Sequence, residues 1–435
     1  MKVVFLEVES KRKIYREYNG GYGTSFNAGR SFLGKALTFL RTSKEKFPYM
    51  PYAYGATIFK QAGHDVSIEI NTIPKDADFV IMHCSMPNHS VEKDYIRKLK
   101  EQGIIVGVIG PFPSTKPELF NEADFIISGE PETIMMKISK EKKIPKGLVY
   151  SPPLEDLDSL PYPDWSLFPI NEYSCHPIIN KKPFTFVLSS RGCMYSCNYC
   201  PYISESNYGR KFRVRSVKNV IGELKYLKDR FNIKGILFRD PVFSLDKNRV
   251  KELCNAIIKE NIDIEIGCET RLDRLDKDLI DIMYKAGFRA IEVGIESSSP
   301  EVLRKSKRYP IELKHQEDMI AHCDKLGIRV IGFYVIGLEY DTHETIQSTI
   351  EYAKKLNTDF ANFTICTPIP GTEFYENIKS RIFTDNYDLY DNFNPTFHHY
   401  NLSSEDIIKY QEKAFISYYL RLRYIYKYII KNFFV

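Results

Sequence analysis

Apolar and polar positions alternate along this chain in two periods, and the alternation sorts it into two runs of strand–helix units. In the first run, residues 2–8, 66–70, 78–82, 104–109 and 124–128 are short apolar stretches bounded by glycine, proline or charge, and they read as strands. Residues 54–62 and 91–102 carry apolar residues at helical spacing. Gly63-His64-Asp65 turns the chain from the first of these helices into the next strand. Strands alternating with helices imply a parallel sheet covered on both faces. Ligands of such sheets sit beyond the carboxyl ends of the strands. Ser85, Gly110, Gly129 and Glu130 fall there and are candidate ligand contacts. Glycine at these ends either lets the backbone approach a ligand or simply turns the chain. Asn19-Gly20-Gly21-Tyr22-Gly23 lacks the G-x-G-x-x-G spacing and reads as a loop.

Residues 152–165 are punctuated by proline, which fixes φ and removes hydrogen-bond donors, so this stretch reads as a connector. The alternation then resumes. Strands are predicted at 184–189, 235–239, 264–268, 290–294, 330–335 and 361–364, with helices at 216–231, 247–260, 276–286, 314–326 and 342–356. Six parallel strands with crossover helices suit a partial TIM-type barrel, whose chemistry sits at the carboxyl ends of its strands. Those ends carry Arg191-Gly192-Cys193, Asp240-Pro241, Glu269-Thr270-Arg271, Glu296-Ser297-Ser298, Gly337-Leu338-Glu339 and a proline-glycine turn at 368–372. Ser403-Ser404-Glu405-Asp406 is a helix start, and the tail behind it interleaves aromatics with Arg421, Arg423, Lys427 and Lys431. Packing on the barrel with snorkelling cations is the preferred reading of this tail. The alternative is peripheral contact with a membrane or a lipid-like substrate. The expected division is therefore 1–150, a linker at 151–180, a barrel at 181–380 and a helical extension at 381–435.

Composition narrows the picture. The 435 residues are 43% hydrophobic and 27% charged, which suits folded domains throughout. The net charge of +5 is small for this length. Apart from Lys11-Arg12-Lys13 and the tail there is no basic block, so nucleic-acid binding is not expected. No stretch reaches the roughly 20 apolar residues of a membrane span. Met1-Lys2 leads straight into an apolar strand rather than a signal peptide. A cytoplasmic protein is the expectation. Nine cysteines, an odd number, argue against a disulfide framework. Cys84, Cys175, Cys254, Cys268, Cys323 and Cys366 read as small core residues.

The other three stand in Cys193-Met194-Tyr195-Ser196-Cys197-Asn198-Tyr199-Cys200, directly after a predicted strand. Thiols at C-x-x-x-C-x-x-C can hold three irons of a [4Fe–4S] cluster and leave the fourth open, and a vacant coordination position is what makes a metal site catalytic. A zinc site would want a fourth Cys or His near by, and none follows.

The triplet, with Tyr199 as the aromatic of C-x-x-x-C-x-aromatic-C, and the strand ends over about 180–375 resemble the radical S-adenosylmethionine (SAM) superfamily. The resemblance implies that Cys193, Cys197 and Cys200 ligate the cluster and that SAM chelates the open iron. It places Tyr199 beside the adenine and Asp240, in Phe238-Arg239-Asp240-Pro241-Val242-Phe243, where many members hold the SAM amino group. Glu296 and Ser297, in Gly294-Ile295-Glu296-Ser297, would reach the ribose or the amino-acid end. Arg271 and Arg308 are candidates for the SAM carboxylate, and Gly332 to Gly337 would pack on adenine.

The first 150 residues resemble the Rossmann-like cobalamin-binding domain of one large class of these enzymes, through Ala62-Gly63-His64-Asp65-Val66, Gly107-Val108-Ile109-Gly110-Pro111 and Ile127-Ser128-Gly129-Glu130-Pro131-Glu132. Leu154-x-x-Leu157-x-x-Leu160-Pro161-x-Pro163 resembles the same class's linker. The D-x-H-x-x-G motif that brings a histidine to cobalt is absent. Asp341-Thr342-His343 is followed by Ile346 and lies in the barrel. The resemblance implies cobalamin-dependent C-methylation of an unactivated carbon on a small molecule or peptide, fed by an electron donor such as flavodoxin or ferredoxin. A radical cyclase, deoxygenase, dehydrogenase or isomerase, with or without cobalamin, is the alternative. A non-catalytic iron–sulfur or zinc scaffold is a further one.

Overall fold

A computed structural model describes residues 1–433 except 11, 44, 205 and 206, and leaves undescribed the side chains of Asn19 and residues 429–433. Lys11 of the basic triplet and the side chains of Ile429 and Lys431 in the tail thus lie outside the described residues.

The first unit is a six-stranded sheet of β1 (Lys2–Glu7), β2 (Asp65–Ile70), β3 (Phe79–His83), β4 (Val106–Ile109), β5 (Phe125–Gly129) and β6 (Gly147–Ser151). All neighbours run parallel, in the order β2-β1-β3-β4-β5-β6. The order reverses between β1 and β3, and a crevice opens beyond the carboxyl ends at such a reversal. Helix Met50–Gln61, buried over most of its length, lies against the β1 face. Strand β6 was not legible because it is an edge: Leu148 and Tyr150 are exposed, so no buried apolar run marks it. Helix Phe32–Thr42, inside the long β1–β2 connection, was also not read.

The connector is packed rather than slack. Trp165 is fully buried against Phe168, Asp164 N–H donates to Thr57 Oγ1 (2.7 Å) and Lys60 pairs with Asp164 (2.9 Å). Beyond it β7 (Phe184–Val187), β8 (Gly235–Phe238), β9 (Glu265–Thr270), β10 (Phe288–Glu296), β11 (Arg329–Ile336) and β12 (Phe360–Ile365) form a second parallel sheet in strictly sequential order. This is the partial barrel expected. Four of its crossover helices start where side chains cap them: Ser216, Asp246, Asp276 and Thr342 each accept a hydrogen bond from the backbone N–H three residues on.

The tail forms two helices, Ser404–Tyr419 and Leu422–Phe433, instead of one run. The first lies along the open edge of β12. Tyr419 OH donates to Ala361 O (2.7 Å) and accepts from Ala361 N–H (3.0 Å), and Gln411 reaches Phe363 O (3.3 Å). Packing is therefore its role. The second helix keeps Leu422 and Tyr426 exposed, while Tyr424 OH donates to Asp359 O (2.9 Å). No helix among the described residues is long and apolar enough to cross a membrane.

Two features join the units. Residues 15–24 thread between them as a strap: Tyr22 OH donates to Pro370 O (2.9 Å), Asn207 Nδ2 to Gly20 O (2.6 Å) and Arg239 Nη2 to Glu17 O (2.9 Å). Beside it, Arg191 of the barrel pairs with Glu130 and Glu132 of the first unit (both 2.7 Å), and Arg213 pairs with Glu130, all four side chains being buried.

Candidate active site

The short strands Ser190–Arg191 and Arg213–Val214 pair antiparallel just past β7 and pinch residues 192–212 into a loop at the barrel mouth. Gly192 has φ +84°, and a Cβ there would stand 2.1 Å from Lys211 O, so glycine alone makes the turn. Backbone bonds then fix the cysteines. Cys193 N–H donates to Gly209 O, Cys200 N–H to Cys197 O and Asn198 N–H to Ser306 O, each at 3.2 Å. Asp240 fastens the root of the loop. It is fully buried and accepts from Ser189 N–H (2.7 Å), Ser189 Oγ (2.5 Å) and Ser190 Oγ (2.6 Å), so its oxygens are spoken for inside the protein.

All three thiols line one cavity of about 290 Å³ at the carboxyl end of the barrel. Tyr199, Arg271, Glu296 and Arg308 share that wall. Arg308 donates to Cys197 Sγ (3.9 Å) and lies 3.4 Å from Glu296. Glu296 has φ +67° at a register shift of β10 against β11, a strained bulge of the kind that re-aims a side chain at a working site. Arg271 stacks on Tyr195 (4.0 Å) and pairs with Asp273 (2.9 Å), which leaves its buried Nη1 without a partner. Burial raises the Glu296 carboxyl above its usual range, against the pull of Arg308 and Arg271. Burial also pushes the Cys193 and Cys200 thiols up, and for Cys200 the other two cysteines add to it. Thiols raised in this way ionise poorly alone, whereas a bound iron centre stabilises thiolate. The donor set thus fits the cluster.

Other expected residues lie elsewhere. Ser297 does not line the cavity, and its hydroxyl pairs with Thr349 (3.2 Å). Gly337, at φ +78°, donates its N–H to Asp341 (3.1 Å), and a Cβ there would meet Ile407 of the tail helix. Asp240 is likewise away from the cavity wall.

A second, smaller cavity of about 70 Å³ lies at the ends of β3, β4 and β5, lined by His83, Gly110, Gly129 and Glu130 among others. Tyr202 lines both cavities. Both Glu130 oxygens are held by Arg191 and Arg213, which outweigh its burial and keep its pKa below the usual range. Ser85 is buried outside this cavity and is bonded through N–H and hydroxyl to Glu92 (2.8 and 3.1 Å). Two residue sets went unread. His83 is buried with Nδ1 unpartnered, and desolvation holds it neutral. Glu292, Tyr18 and Asn362 line the larger cavity. A glutamate in the middle of the apolar run Ala290-Ile291-Glu292-Val293 is the signal that could have found the first of these.

Residues 187–353 match the model of the radical SAM superfamily. An uncharacterized methyltransferase of Pyrococcus horikoshii is 30% identical over 78% of this chain and 77% of its own length. The bacteriochlorophyllide d C-12(1)-methyltransferase of Chlorobaculum tepidum is 23% identical over 72% of this chain and 68% of its own. Among solved structures, the cobalamin-dependent SAM radical enzyme OxsB, with aqua-cobalamin and SAM bound, aligns with a TM-score of 0.66 at 14% identity, covering 94% of this chain and 65% of that one. The radical SAM methyltransferase TsrM of Kitasatospora setae, with cobalamin and a [4Fe–4S] cluster, aligns with a TM-score of 0.61 at 15% identity, covering 87% and 78%. The chain belongs to the radical SAM superfamily and has the fold of its cobalamin-dependent members. It is a radical SAM enzyme, with a [4Fe–4S] cluster and SAM as its cofactors.

Proposed function

We propose that this enzyme methylates an unactivated carbon of a small molecule or peptide, with cobalamin as methyl carrier. The observation that carries the reading is the sharing of one barrel-mouth cavity by Cys193, Cys197, Cys200, Glu296, Arg271 and Arg308, next to a sheet whose strand ends hold a second cavity. Held by Cys193, Cys197 and Cys200, a reduced cluster would supply the electron that splits SAM into methionine and a 5′-deoxyadenosyl radical able to take a substrate hydrogen atom, and methylcobalamin would supply the methyl group.

The chain's own part is positioning. The three thiols hold the cluster, and Arg308 donates to Cys197 Sγ. The unpaired Nη1 of Arg271, with Arg308, orients the SAM carboxylate through guanidinium–carboxylate bonds. Glu296 accepts from the ammonium or the ribose, and Tyr199, Phe333 and Val335 give an apolar wall for adenine. Gly110 (φ +118°) and Gly129 (φ +94°) keep side chains away from the strand ends, and His83 offers a neutral imidazole; these three would hold cobalamin. The smaller cavity is far below the size of a corrin, so the strap at 15–24 has to lift for loading. In this reading residues 1–150 serve cobalamin, 151–180 link, 181–380 run the radical chemistry, and 381–435 close the barrel edge. A flavodoxin- or ferredoxin-type donor supplies the electron.

The test is anaerobic reconstitution followed by iron, sulfide and cobalt analysis. With SAM and dithionite the protein should form 5′-deoxyadenosine, and Cys197→Ala should abolish it. Folded, cluster-loaded protein that never takes up cobalamin would overturn the methyl-transfer reading.

A further inference from the structure

The larger cavity has a second polar end. Arg239 follows β8, Glu269 lies in β9 and Glu292 in β10, and the last two are register partners, so the three stand in a row across adjacent strands. Barrel interiors are normally packed with branched apolar residues. Here Arg239 pairs with Glu269 and stacks over Tyr18 (4.3 Å), which the strap brings in. That pairing satisfies one carboxylate. Glu292 is left over: it is 1% exposed, no N–H or hydroxyl donates to either oxygen, its hydrogen-bonding neighbour is the other carboxyl, Glu269, and Arg239 Nη1 stands 3.6 Å away. Asn362 Oδ1, on the same wall, is also unpartnered.

Orphaned buried polar atoms are costly, and a group left so in a ligand cavity is waiting for a partner. At this end three oxygens, two of Glu292 and one of Asn362, stand unpaired against a single unpaired donor, Arg239 Nε, so acceptors are in excess. Two carboxyls share the one guanidinium of Arg239 at this end, so a second cation is what would let both ionise. We propose that Glu292 and Glu269, with Asn362, form a subsite for a protonated amine of the substrate, which makes the substrate class amine-bearing. This rests on the proposed function, because it assigns the substrate side of the same cavity.

The charge balance is explicit. Without ligand, burial and Glu269 raise Glu292 well above the usual carboxylate range against the pull of Arg239 and Arg41, so it holds a proton. Tyr18, Cys175 and Cys268 also face it, and all three are raised by burial and stay neutral. An arriving ammonium donates its N–H groups to Glu292, and the Glu292 O–H bond breaks as its proton passes to water; no other bond changes.

The experiment uses cluster- and SAM-loaded protein without reductant, with n-butylammonium, n-butanol and n-butyrate as probes in ligand-observed NMR titrations. Butylammonium should bind at least about tenfold tighter than either of the others, and Glu292→Gln should erase that preference. Calorimetry in two buffers of different ionisation heat should show release of close to one proton per amine bound. Equal binding of the alcohol or the acid, no binding by any probe, no proton release, or an unchanged preference in Glu292→Gln would each overturn the assignment. If Glu292→Gln does not fold, the wild-type ranking and the proton count decide alone. Formation of 5′-deoxyadenosine by wild type under dithionite reports on the proposed function separately.

Discussion

Single side chains separate those that meet the ligand from those that hold the site in place. Glu296 lines the cavity and Asp240 does not, though both are carboxylates at barrel strand ends, Asp240 fully buried and Glu296 largely so. Glu296→Gln should weaken SAM binding about 10- to 100-fold, the value of a hydrogen bond to a charged group, as read by equilibrium dialysis on cluster-loaded protein. Asp240→Asn should instead lower cluster retention and thermal stability, because Ser189 and Ser190 lose the carboxylate that fastens the loop root. Its loaded fraction should bind SAM with nearly the wild-type constant; a loss as large as that of Glu296→Gln would place Asp240 in the site after all. Gly192→Ala tests the loop by another route. Its Cβ collides with Lys211 O at a positive φ, so iron content per chain should collapse while the rest of the barrel stays folded by circular dichroism. The three thiols were legible because ligand spacing is local in sequence. His83 was not, because what singles it out is the lack of a partner in three dimensions, and Glu292 is marked only by its place inside an apolar run.

Elements follow the same division. The barrel strands were legible from apolar runs, since strands buried on both faces carry no polar alternation to confuse the reading. Strand β6 and helix Phe32–Thr42 escaped because each exposes much of its apolar surface: Phe32, Phe39 and Leu40 are open to solvent as Leu148 and Tyr150 are. The tail shows why periodicity gives a helix but not its partner. An unclosed barrel leaves β12 with free N–H and C=O groups, a hazard for edge-to-edge pairing. Tyr419 answers both groups of Ala361 with one hydroxyl. Tyr419→Phe keeps the ring and removes the hydroxyl, leaving two buried backbone groups unpaired at a cost of about 1–3 kcal/mol each at most. A lower thermal midpoint and faster aggregation should follow, measured by scanning calorimetry and light scattering. An unchanged midpoint would mean that water replaces the hydroxyl.

At the scale of the whole molecule, the two units are joined by charges that no sequence pattern announces. Glu130 looked like a cofactor contact because it stands at a strand end, but its oxygens belong to Arg191 and Arg213 across the interface. Arg191→Ala would leave Glu130 and Glu132 short of a counter-charge in a buried interface, a loss of about 3–5 kcal/mol. The pH dependence has a definite sign. Burial opposes ionisation of Glu130, but the two arginines outweigh it and lower the folded pKa below 4.5. Its contribution is therefore complete above the unfolded value and is lost as pH falls through the folded one. Urea unfolding of the cluster-free protein should show Arg191→Ala weakened most near neutral pH, with the gap to wild type closing as pH falls through the lowered folded pKa of Glu130. The strap gives the corresponding kinetic expectation. Tyr15 N–H donates to Thr24 O (2.7 Å) and Thr24 N–H to Tyr15 O (3.2 Å), so the strap's own turn reports on its state. If cobalamin enters the smaller cavity by displacing it, hydrogen exchange at these two amides should speed up on loading while the amides of β4 slow. Protection rising at Tyr15 and Thr24 as well would mean that the cofactor binds with the strap closed, and that Gly20 and Gly21 are part of its bed rather than its gate.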